Sequence, residues 1–100
     1  MFNLTRSKDI EKFAAELARE FAGRCAPDKA HADKGSTAQL ARAIDEVCSR
    51  ATAYRREHKL GMYGKAKLAT TFKLELKEIG YSADFIDALT RQLVLKMSAT

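Results

Sequence analysis

Leu40, Ile44, Val47, Ala51 and Tyr54 are separated by steps of four, three, four and three. That spacing puts all five side chains on one seam of an α-helix of about 3.6 residues per turn, whereas a strand would scatter them over both faces. The same steps recur at Ile10, Phe13, Ala14, Leu17 and Phe21, at Leu68, Ala69, Phe72, Leu76 and Ile79, and at Phe85, Ile86, Leu89, Leu93 and Met97. No segment sustains a period of two or gathers β-branched residues, so strands are not required. The pattern predicts an all-α fold: a compact bundle of four helices, about 7–24, 37–60, 65–79 and 83–97, forming a single helical domain over residues 1–100. Consecutive helices are expected to pack antiparallel or at an angle. Phe13, Leu17, Leu40, Ile44, Val47, Phe72, Leu76, Leu89 and Leu93 are the expected shared core.

Local signals mark the ends. Ser7 is placed to cap the first helix, with Asp9 and Glu11 near the positive end of its dipole. Cys25 to Gly35, which includes Pro27, Asp28, His31 and Asp33, lacks periodicity and reads as the one long loop. Ser36 followed by Gln39 matches a capping box for the second helix. Gly61-Met62-Tyr63-Gly64 supplies two residues able to take positive φ and predicts a sharp bend between helices. Gly80 is expected to close the third helix in the left-handed conformation, with Tyr81 folding back on Leu76. Ser82 should cap the fourth, with Tyr81 and Ile86 as a hydrophobic staple.

Charge is unevenly distributed. The chain carries 18 Lys and Arg against 13 Asp and Glu, and the whole excess of five falls between residues 50 and 80. Arg50, Arg55, Arg56, Lys59, Lys65 and Lys67 crowd around the expected bend, opposed there only by Glu57. Cations at a helix C-terminus can simply offset its dipole. They can also converge on an anionic partner, and the free N–H groups at the start of a following helix would add to such a site. On the second reading Arg55, Arg56, Lys59, Lys65 and Lys67 contact phosphates of DNA or RNA without reading bases. Arg56 and Lys67 are placed on the solvent side of their helices.

A second set of residues suggests a protein partner instead. On the helical wheel Leu74 falls opposite Leu76 and Phe72, sharing a face with Lys67 and Thr70, and Tyr63 lies toward the same side. Leu93-Val94-Leu95 makes the fourth helix apolar nearly all round, which is expected of a deeply buried or self-associating helix. A monomer is preferred over a homodimer.

Catalytic chemistry finds little support. Of the two histidines, His58 follows Tyr54 by one turn and reads as a semi-buried residue at a helix end, and His31 as a solvated loop residue. Cys25, His31, Cys48 and His58 lack the spacing of paired zinc ligands. Asp28 to Gly35 lacks the alternating oxygen ligands of a calcium loop. Glu16 with Arg19 and Glu20 with Arg24 have the spacing of surface ion pairs within one helix. Gly64-Lys65 is not a P-loop and no G-x-S-x-G occurs. Cys25 and Cys48, outside any C-x-x-C arrangement, read as free thiols. The longest stretch without a charged residue, Gly35 to Ala41, is far short of the roughly 18 apolar residues of a membrane span, and the uncharged start reads as no signal peptide. The expectation is therefore a non-enzymatic, cytoplasmic binding module with no metal, no cofactor and no membrane contact. Its basic corner would meet an anionic macromolecule, with nucleic acid favoured; the alternative is a protein-interaction or assembly module using Tyr63, Leu74, Val94 and Leu95.

Overall fold

Four helices, α1 (Asn3–Arg24), α2 (Thr37–Glu57), α3 (Met62–Ile79) and α4 (Ala83–Ser98), account for nearly all of residues 3–26 and 37–98, the part of the chain that the computed structural model describes. No strand occurs among the described residues. The expected all-α four-helix bundle is what the chain forms.

Cross-helix contacts fix the directions. Glu11 of α1 meets Lys67 of α3 at 2.6 Å, Arg19 meets Glu75 at 3.1 Å, and Tyr81, just past α3, reaches Cys25, just past α1. Each pair is separated by 56 residues, so α1 and α3 lie parallel in one register. Arg24 with Glu46 and Arg50 with Glu20 make α2 antiparallel to α1, and Lys73 with Asp87 makes α4 antiparallel to α3. Around the bundle the order is α1, α2, α4, α3, and the α1–α3 interface is the largest. The chain therefore crosses the bundle diagonally between α2 and α3. Arg19 and Arg24 of α1 reach Glu75 and Glu46 on other helices rather than a glutamate one turn away, which corrects the expected intrahelical pairs.

One cluster of buried residues draws on all four helices. Leu17, Phe21, Leu68, Phe72, Leu76, Leu93 and Met97 are fully enclosed. Val47 and Leu89 join them, whereas Phe13, Leu40 and Ile44, expected inside, only flank the cluster. The physical reason is that α2 packs on two neighbours at once. Its buried stripe runs through Ala43, Val47, Cys48 and Ala51, between α1 and α4, which rotates Leu40, Ile44 and Tyr54 to the edge. Both cysteines are buried free thiols.

Three helix ends differ from expectation. The first helix begins at Asn3, so Ser7 lies inside it and caps nothing. The second stops at Glu57 instead of near Leu60, because Lys59 turns left-handed at φ 52. There the Leu60 N–H bonds the Arg55 carbonyl at 2.9 Å and the Lys59 N–H bonds that of Arg56 at 3.3 Å, a Schellman closure that turns Leu60 into the core. Neither bend glycine takes positive φ: Gly61 is the extended N-cap of α3 at φ −86, and Gly64 sits in the first turn, where a Cβ would come within 3.0 Å of the Leu60 Cβ. Gly64 thus permits a close approach rather than a bend.

The remaining ends follow expectation. Gly80 adopts φ 120 and its N–H bonds the Leu76 carbonyl, as does the N–H of Tyr81. The Ser82 hydroxyl accepts from the Phe85 N–H at 3.2 Å and caps α4. The Ser36 capping box, His31 and most of the long loop lie outside the described residues. Among those residues no helix is long and apolar enough to cross a membrane.

Candidate functional site

The α2–α3 corner holds all five proposed phosphate contacts, and the structure treats them differently. Arg56 and Lys59 are exposed, and Arg55 and Lys65 are half-buried. No carboxylate of the described residues lies within 4.0 Å of these four cations. Lys67 departs from expectation: it bonds Glu11 on α1 and is only partly exposed, so it is not a solvent-facing cation. The hydrogen bond that Lys67 donates to Glu11 raises the Lys67 pKa against a smaller effect of burial and keeps the ammonium charged. Arg50 is likewise held by Glu20, and Lys73 by Asp87.

The cations do not line a single cleft. Lys59 borders one of about 280 Å³, formed with Ser7, Ile10, Tyr63 and Gly64 between the starts of α1 and α3. Arg56 borders another, of about 650 Å³, with Asp45, Cys48, Thr52 and Lys96 along α2 and α4. Arg55 borders neither of these two clefts, and its Nε is buried without a hydrogen-bond partner. The Lys65 amide already bonds the Gly61 carbonyl at 3.0 Å. The uncommitted N–H groups of α3 therefore belong to Met62, Tyr63 and Gly64, three residues earlier than the sequence suggests, and no side chain caps them.

The residues suggested for a protein partner are all exposed, Tyr63 at 68%, Leu74 at 58% and Leu95 at 62%, with Val94 less so. Tyr63 shares the corner cleft with Lys59, whereas Leu74 lies elsewhere. Leu74 borders a cleft of about 490 Å³ between α3 and α4, with Lys73, Lys77, Tyr81 and Ile86, while Tyr63 faces α1. Leu93 is fully buried beside exposed Val94 and Leu95, so α4 is apolar on its outer face without being enclosed.

Two features escaped the sequence reading. Met62 is the most exposed of the large apolar side chains at the corner. More important, the Tyr54 ring stacks on Phe13 of α1 with centroids 4.0 Å apart and planes 9° apart, and packs against His58 at 4.1 Å with the planes tilted by 37°. His58 is consequently exposed at the end of α2 rather than semi-buried. The i, i+4 spacing of Tyr54 and His58 is a signal that could have found half of this stack; the Phe13 half depends on the packing of α1.

Burial raises the Cys48 thiol pKa, only partly offset by Lys96, which disfavours the reactive thiolate. Among the described residues no three His, Cys, Asp or Glu side chains are grouped so as to hold a metal ion. In comparisons with protein families, with curated proteins and with solved structures, nothing matches this chain.

Proposed function

We propose that the protein is a non-enzymatic helical binding module of the cytoplasm whose α2–α3 corner holds the phosphate backbone of a nucleic acid. The observation that carries this reading is the partition of charge. Carboxylates neutralise Arg50, Lys67 and Lys73, whereas Arg55, Arg56, Lys59 and Lys65 have none within ion-pair distance among the described residues. An anionic partner offsets such a concentration of like charge, and the release of condensed counterions favours the binding at low salt. Contacts of this kind position a backbone and carry no sequence information.

The test is the salt dependence of binding. Four phosphate contacts give a slope of log affinity against log salt near −4 on duplex DNA, at about 0.9 per contact. Replacing Arg56 and Lys65 by Gln should flatten it by up to about two. Arg42 and Arg91, exposed and away from the corner, supply the control pair. A parent that binds neither single nor double strands at low salt, or a control pair that weakens binding equally, removes the reading.

The cleft beside exposed Leu74 favours a protein partner as the second reading. Binding through it would be nearly indifferent to salt. In sedimentation, Val94→Glu should then dissociate any dimer built on the outer face of α4.

A further inference from the structure

Tyr54 has two aromatic neighbours at about the same short distance, Phe13 at 4.0 Å and His58 at 4.1 Å. Neither can lie beside it in plane at that separation, and one face cannot hold two rings so close. Phe13 therefore covers one face of Tyr54 in parallel and His58, tilted by 37°, covers the other, so that the three rings form a short column. The Arg50 guanidinium carbon stands 5.8 Å from the Phe13 centroid and adds a cationic contact to that ring. Arg50, Tyr54 and His58 follow one another at successive turns of α2, with Phe13 entering from α1, so the column climbs α2 toward its C-terminal end.

Phe13 and Tyr54 are half-buried, yet the column does not finish in the core. Its last ring, His58, is exposed and sits between Arg55 and Arg56 on one side of the sequence and left-handed Lys59 on the other. An exposed aromatic ring backed by two further rings, with cations next to it in the sequence, has the composition of sites that stack unpaired bases while cations follow the backbone. Bases inside a duplex are already stacked on one another and cannot reach such a face.

We infer that His58 is the outer layer of a stacking platform that takes one unpaired base of a single-stranded nucleic acid, its flanking phosphates lying on Lys59 and Lys65. This rests on the phosphate reading above and narrows it from nucleic acid in general to single strands. Stacking of this kind tolerates any base, because every base presents a π-face.

The experiment measures binding of the full chain to labelled oligo-dT, oligo-U and a blunt duplex of the same length at low salt, for the parent, His58→Ala and His58→Trp. The parent should prefer the single strands. His58→Ala should weaken single-strand binding roughly 5- to 150-fold, the range for one stacked base, and leave duplex binding unchanged. His58→Trp should restore the preference, and because the chain has no other tryptophan, its emission should be quenched by single strands and not by duplex. Helicity by circular dichroism verifies that both variants fold. If His58→Ala weakens both nucleic acids equally or neither, or if the indole emission is unmoved by oligo-dT, the platform is overturned, while a surviving salt slope leaves the phosphate reading in place. If the parent binds no nucleic acid at low salt, both fall.

Discussion

The Tyr81 hydroxyl donates a hydrogen bond to the backbone carbonyl of Cys25, 56 residues earlier, inside the bundle. Tyr81 is buried, and its ring packs on Phe85 at 5.1 Å and on Phe21 at 5.7 Å. The bond ties the exit of α1 to the turn between α3 and α4. Removing the hydroxyl with Tyr81→Phe keeps the ring packing and loses a buried bond, so stability should fall by about 1–3 kcal/mol in urea unfolding. Burial, helped by Cys25, pushes the Tyr81 pKa up to about 12. The folded chain thus holds this proton more tightly than the unfolded chain, whose tyrosine titrates near 10. The contribution is complete below about pH 10 and is lost as pH rises through about 12. The stability gap between parent and Tyr81→Phe should accordingly be level up to about pH 10 and narrow above it. A gap that stays constant into the alkaline range would show that the hydroxyl is not enclosed.

Lys59 holds a left-handed conformation that costs an L-residue with a Cβ roughly 1–2 kcal/mol. Lys59→Gly should relieve that strain, and even after the greater unfolded-state freedom of glycine the stability measured in urea unfolding should rise by about 0.5–1 kcal/mol. Lys59→Val, β-branched at the same position, should lower it. Equal stability for the two variants would contradict the Schellman closure.

Gly23 and Gly64 both lie within helices and should respond oppositely to alanine. A Cβ at Gly23 meets nothing within 4 Å, so Gly23→Ala should stabilise by about 0.5–1 kcal/mol through helix propensity alone. At Gly64 the new methyl would press on the Cβ of Leu60, which is close to the backbone and held by the closure of α2. Gly64→Ala should therefore destabilise. Thermal unfolding of the two variants side by side distinguishes them, and a stabilised Gly64→Ala would mean that Leu60 moves aside freely.

Much of this fold is legible in the sequence because helix formation is local. The stripes of Leu17 and Phe21, of Phe72 and Leu76, and of Leu89 and Leu93 are visible in their spacing, as are Gly80 and Ser82 in their residue types, and the structure has each where expected. What is not legible depends on neighbours. Ala43 and Cys48 lie at the centre of the buried stripe of α2 because two helices press on that side, a fact absent from α2 itself. A left-handed lysine two residues before a glycine could not be read from residue preferences, which assign that conformation to Gly61. The exposure of Arg56 at the candidate corner, and of Leu74 farther along α3, follows from the helical wheel. The capture of Lys67 by Glu11 requires knowing that α1 runs alongside α3.

That parallel pairing has a consequence for how the chain is made. The largest surface α1 can cover belongs to a helix that begins at Met62, so during synthesis α1 waits for more than half the chain before its principal partner exists. The antiparallel contact with α2 is narrower and offers only provisional shelter to Leu17 and Phe21. Closing so long a connection ahead of the contacts that reward it slows the search for the native state. A nascent chain stopped at the α2–α3 corner should leave its first helix a client for chaperones, and the Cys25 carbonyl is latched by Tyr81 only when α3 has been completed.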